Sequence, residues 1–143
     1  MENTLVSFPC RGERLNQLLT AHGILPTLQR TLIAEVLFVR RRHLSADQVL
    51  SQVNKGEQQV SKATVYNTLG LFAREGLIRE LVVDPSRVFY DPCTEPHHHY
   101  YNVDTRELTD IPADCITINS LPEPPKGSRP GEMDVIVRVR NTN

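Results

Sequence analysis

SKATVYNTLGLFAREGLIRELVVDPSRVFY, residues 61–90, holds one helix with its start and stop, then two strand-like runs joined by a turn. Ser61 is a natural N-cap, because its hydroxyl can accept from a first-turn N–H that has no partner inside the helix. Ala63, Tyr66, Leu69, Phe72 and Ala73 recur at helical spacing and are expected to form the core face. Gly76 stops the helix, since glycine adopts the left-handed conformation at little cost. LIRELVV and RVFY read as strands, and DPS between them as their turn.

Working upstream, Leu15, Leu18 and Leu19 give a helix over residues 11–22 that closes at Gly23. Thr27 can cap a second helix whose Leu28, Leu32, Ile33, Val36 and Leu37 form an apolar stripe, ended by the RRRH cluster at 40–43. Ser45 with Gln48 reads as a capping box opening a short helix that carries Val49, Leu50 and Val53. Helices followed by a hairpin predict a winged helix-turn-helix over residues 1–91.

Residues 92–143 differ in kind. HHHYYNV, RELTDI, CITI and DVIVRVR are short strand candidates, and LPEPPKGSRPG is a connection that cannot be helical throughout. So small a set of strands rarely buries enough core alone. An intersubunit sheet would solve this, so a homodimer through this half is expected.

The chain has 143 residues and a net charge of −1, which gives no overall attraction to nucleic acid or membrane. The balance conceals an asymmetry: residues 1–90 carry 11 basic and 8 acidic groups, and residues 91–143 carry 5 and 9. Cys10, Cys93 and Cys115 form no Cys-x-x-Cys pair, which argues against a disulfide framework and a multi-thiolate zinc site. With no membrane-length apolar run and no signal-peptide start, a reducing cytoplasm is expected, with no membrane partner.

A helix that enters the major groove needs small or polar side chains near its N-terminus. Ser61, Lys62, Thr64, Asn67 and Thr68 lie off the expected core stripe and suit phosphates and base edges. Arg87, beside the hairpin tip, can reach a neighbouring phosphate or the minor groove. An ordinary amphipathic helix has the same pattern; the hairpin that follows tilts the reading toward double-stranded DNA. A dimer would present two such helices to a roughly palindromic operator.

EPHHHYYN, residues 95–102, places three of the five histidines in a row. On a strand, His97 and His99 share one face and His98 takes the other. Asp91 lies six residues upstream of His97, Asp110 ends the next strand candidate, and His43 starts the helix-turn-helix. A mixed imidazole and carboxylate set suits Mn²⁺, Fe²⁺ or Zn²⁺ better than Cu(I). Hydrogen-bonded or solvated histidines are an equal reading of the spacing. Haem on His97, His98 or His99 is the rival ligand, and Cys93 is either a thiolate donor or an apolar filler.

LPTLQRTLIAEVLF, HLSADQVL, SKATVYNTLGLFAREGLI and HHHYYN together resemble the ferric uptake regulator family over nearly the whole chain. ATVYNTL, FYDPCTEPHHHYYN, LPEPP and DVIVRVR look most like its iron response regulator branch. The resemblance implies an α+β fold: an N-terminal winged helix-turn-helix and a small C-terminal α/β dimerisation domain. It also implies a transcription regulator of iron and haem homeostasis rather than an enzyme.

The family's regulatory metal site uses a histidine at the start of the helix-turn-helix, an acidic residue after the wing and two histidines one residue apart. Its peroxide-sensing branch adds a later aspartate. His43, Asp91, His97, His99 and Asp110 match that order, so a single divalent ion held by both domains is implied, with peroxide sensing as the alternative function. Departures are also informative. Asn102 and Thr105 stand where relatives carry the first cysteine pair of a structural zinc site, so no such zinc is expected. Pro9-Cys10 reverses the Cys-Pro order of a haem motif. Leu25 and Leu28 replace arginines that often reach DNA, while Arg30 remains and, with Tyr66, completes the expected DNA-contacting set. A metal carrier would not need the winged helix, and five protein ligands leave a hydrolase little room for a reactive water.

Overall fold

Residues 61–90 fold as a helix and a hairpin in the computed structural model, which describes residues 6–40 and 42–143. The chain divides into two compact units, Met1–Thr94 and Glu95–Asn143. Among the described residues, no helix is long and apolar enough to cross a membrane.

In the first unit, α1 spans Glu13–Ala21, α2 Leu28–Phe38, α3 Ala46–Val53 and α4 Lys62–Arg74. The starts of α2, α3 and α4 follow local chemistry. The Thr27 hydroxyl accepts from Arg30 N, Ser61 Oγ accepts from Thr64 N at 3.1 Å, and both bonds of the Ser45–Gln48 capping box are made. Gly23 and Gly76, just past α1 and α4, have φ of 74° and 75°, where a side chain would be strained.

Two faces are corrected. The buried side of α4 is Val65, Thr68, Leu69 and Phe72, whereas Ala63 and Tyr66, expected in the core, are exposed. Both stripes share Leu69 and Phe72, and the polar Thr68 disguises the true one. On α2 the core side chains are Ile33, Ala34, Leu37 and Phe38; Leu28 is 62 % exposed because the first turn of α2 precedes the packed region.

The wing has one more strand than expected. Strands β1 (Leu44–Ser45), β2 (Arg79–Asp84) and β3 (Arg87–Asp91) form an antiparallel sheet in the order β1-β3-β2. Ser45, extended as an N-cap must be, doubles as strand β1. One buried cluster joins Leu15 and Leu19 of α1, Ile33 and Phe38 of α2, Val49 of α3, Phe72 of α4 and Tyr90 of β3.

In the second unit, β4 (His97–Asn102) lies between β5 (Leu108–Pro112), antiparallel to it, and β6 (Ile136–Val139), parallel to it. Helical content here is one 3₁₀ turn, Ala113–Cys115. CITI, expected as a strand, supplies the end of that turn and then residues without a strand partner. β-branched composition cannot make a strand where no neighbour pairs with it. The Asn102 carboxamide oxygen accepts from Asp104 N and Thr105 N in the β4–β5 turn, and its nitrogen donates to Asn141 Oδ1 at 2.9 Å. Asn141 N in turn donates to Asp104 Oδ2, so polar bonds tie the segment after β6 to this turn.

Candidate metal centre and nucleic-acid interface

Sheet register brings His43 and Asp91 together within the first unit. Leu44 pairs with Tyr90, so the next pair outward sets residue 43 against residue 91. His43 Nε2 lies 3.1 Å from Asp91 Oδ2, and Asp91 Oδ1 accepts from Cys93 N at 2.8 Å. Asp91 is buried, so its second oxygen is held by the backbone while the first faces an imidazole.

Register also builds the cluster of the second unit. His97, His99 and Tyr101 are the buried side chains of β4, and Asp110 of β5 is directly opposite His99. Directly opposed residues share a face of the sheet. Asp110 Oδ1 is therefore 3.5 Å from His97 Nε2 and 3.4 Å from His99 Nε2, with the two rings 4.5 Å apart at an edge-on angle of 63°. His99 is 1 % exposed.

The hydrogen bonds assign the lone pairs. His97 Nδ1 is 2.7 Å from the Glu95 carbonyl oxygen, which can only accept, so Nδ1 carries the proton. In the neutral ring, Nε2 then presents its lone pair to a carboxylate oxygen. Two acceptors facing each other repel unless a proton or a metal cation stands between them. Imidazole nitrogens with a carboxylate, and a backbone carbonyl fixing the outer nitrogen, fit a divalent ion of the Mn²⁺, Fe²⁺ or Zn²⁺ type. His98 is different: Val135 N donates to its Nδ1 at 3.0 Å. Its proton must then sit on Nε2, and neither nitrogen offers a lone pair to haem iron in this tautomer.

Six of the eight expected DNA-contacting residues line two grooves of the first unit. Arg30 of α2 shares a groove of about 530 Å³ with Leu28, Thr64, Asn67 and Thr68. Arg87 and Tyr66 line another, beside Ser45, Asp47 and Gln48. Ser61, Lys62, Tyr66 and Asn67 are exposed. Thr68 departs from its expected role, being 7 % exposed on the core side of α4. Arg30 donates to the Leu25 carbonyl, Lys62 sits 5.7 Å from the Tyr66 ring centre, and Arg87 lies over Phe89. Asp47 was missed by sequence reasoning: the Tyr66 hydroxyl donates to its Oδ1 at 3.0 Å. Nothing local signals a contact between residues 19 apart.

The fold and the two clusters together define a class: a winged-helix unit in a chain whose second unit buries two histidines of a small mixed sheet against a more exposed aspartate. Residues 21–121 match the Ferric uptake regulator family, and the chain belongs to that family. It is 34 % identical over 77 residues to the peroxide operon regulator of Bacillus subtilis, a match covering 54 % of this chain and 53 % of that protein. The chain thus matches about half the length of the curated relatives. Among solved structures it is similar to the ferric uptake regulator of Pseudomonas aeruginosa with manganese, with a TM-score of 0.67 at 23 % identity over 90 % of this chain and 98 % of that one. The ferric uptake regulator of Francisella tularensis with iron gives 0.68 at 22 % identity over 83 % and 92 %. At these identities the two structures speak to the fold.

Proposed function

We propose that this chain is a metal-responsive transcription regulator of iron and haem homeostasis, of the iron response regulator type, that binds an AT-rich, roughly palindromic operator as a homodimer. The observation that carries the reading is the convergence of the His97 Nε2 lone pair and His99 Nε2 on one Asp110 oxygen, in a chain that also carries a winged helix. His43, Asp91, His97, His99 and Asp110 would hold one divalent ion of iron, manganese or zinc. That solved relatives are described with manganese and with iron supports the choice of ion.

When bound, the metal supplies the positive charge that lets these lone pairs share one point. The chain's own residues do the rest. Sheet register sets His99 against Asp110 and His43 against Asp91, the Glu95 carbonyl fixes the His97 ring, and Cys93 N orients the Asp91 carboxylate. Metal occupancy that orders these ligands would be read out as DNA affinity through preorganisation. The tautomer of His98 counts against haem ligation at that residue.

A mobility-shift assay with a palindromic AT-rich duplex tests this with Mn²⁺, with haem and with chelator. Binding is expected with Mn²⁺ and lost with chelator, and replacing both His97 and His99 by Ala should abolish the metal-dependent part. DNA binding under no condition sinks the regulator reading, and an unchanged double variant sinks the site. A second reading, peroxide sensing, is favoured by the peroxide-responsive relatives and by Asp110 facing both histidines. Its mark is an oxygen atom gained by the peptide containing residues 97–99 when the Fe²⁺-loaded protein meets peroxide.

A further inference from the structure

Leu28 is the first residue of α2, follows the capping Thr27, and is 62 % exposed, while the stripe it was expected to join packs without it. It does no work in the core. Its surroundings are nonetheless specific, because it lines the groove that also holds Arg30 of α2 and Thr64 and Asn67 of α4. Those polar neighbours suit phosphates and base edges, yet the side chain among them can make only apolar contact.

In a major groove the apolar feature of a base edge is the C5-methyl of thymine. We propose that Leu28 is a specificity-determining residue that reads a thymine methyl group beside the bases approached by Asn67 and Thr64. This rests on the DNA-binding reading above and gives it a sequence preference at one step. Arg30, whose guanidinium donates to the Leu25 carbonyl, borders the same groove and supplies charge that does not discriminate between bases. The division of labour also suits a first unit whose basic excess is small. A leucine at this step contributes affinity without releasing counterions, so it should leave the salt dependence untouched.

Deoxyuridine lacks only the C5-methyl of thymidine and pairs identically, so it is the clean probe. A duplex selected by the Mn²⁺-loaded protein from a random pool is resynthesised with single thymidines replaced by deoxyuridine. Affinities are then measured for the wild type and for Leu28→Ala. At one position per half-site, wild-type binding should fall about fourfold per methyl lost, whereas Leu28→Ala should be indifferent to the change. On the unmodified duplex, Leu28→Ala should bind about tenfold more weakly with the same salt slope. Leu28→Lys should steepen that slope by about one phosphate contact. Both variants keep the wild-type helical signal, because the position is outside the core.

If no single replacement separates wild type from Leu28→Ala, the inference is overturned while DNA binding stands. If the wild type selects no duplex, the DNA-binding reading falls and this inference falls with it.

Discussion

The two units bury different chemistry. In the first, the buried set is dominated by apolar side chains, with Leu15, Leu37, Phe38, Leu69 and Phe72 fully enclosed. In the second, the buried side chains are His97, His99, Tyr101 and Ile111, so half of them are imidazoles. Burial of apolar surface is favourable by itself, whereas a buried imidazole facing a carboxylate contributes only when a shared proton or a cation stands between them. A hydrophobic core holds the first unit, whereas the second has backbone pairing and a thin apolar core.

The largest expected effect falls on the first unit. Phe72→Ala removes a fully buried ring from the centre of α4 and should cost about 3–5 kcal/mol in denaturant unfolding. A loss below about 1 kcal/mol would mean that this unit is not held by its core.

Metal should act where the apolar core is thin. Amide hydrogen exchange in 97–102 and 108–112 should slow on adding Mn²⁺, approaching about 2.7 kcal/mol of added protection at a hundredfold excess over Kd. Amides of α4 near Leu69 and Phe72, already held by packing, should gain less. Equal gains in both segments would break the contrast between the units, and no gain at 97–102 would remove the ion from β4.

How much of this was legible depended on the range of the interaction. Ser45, Ser61 and Thr27 announced three helix starts because capping acts over three residues, and Gly23 and Gly76 announced two ends for a similar reason. The alternation of His97 and His99 followed from strand geometry alone. Non-local pairing was hidden. Strand β1 is too short to carry a pattern and overlaps a cap. The parallel pairing of β4 with β6 crosses a long connection, and CITI has strand composition without a partner. Amphipathic side chains misled at one face: Tyr66 resembled core and Thr68 resembled surface, and the packing reverses both. Asp110 was legible as a carboxylate near two histidines, but its place opposite His99 required the register.

The smallest expected effect probes polar contacts within the first unit. The Tyr66 phenol ionises above its ordinary range, chiefly because its hydroxyl donates to Asp47, with desolvation and the Asp47 charge adding to the shift. Tyr90 is also raised, but burial is its main cause, followed by Glu80 and Tyr66. The sign follows directly. A tyrosine is neutral below its pKa, so a raised folded value means that the bond stabilises the fold below the unfolded value of about 10. That contribution is lost as pH rises through the folded value. Asp47→Asn removes the carboxylate that discourages a phenolate, so Tyr66 should return toward the ordinary range. Tyr90, held mainly by burial, should still titrate late. Ultraviolet difference titration of the two proteins in chelator should therefore differ by one phenol that moves to lower pH. If Asp47→Asn leaves the profile unchanged, the 3.0 Å contact does not control Tyr66, and that residue's placement at the groove edge must come from the packing of α4 instead.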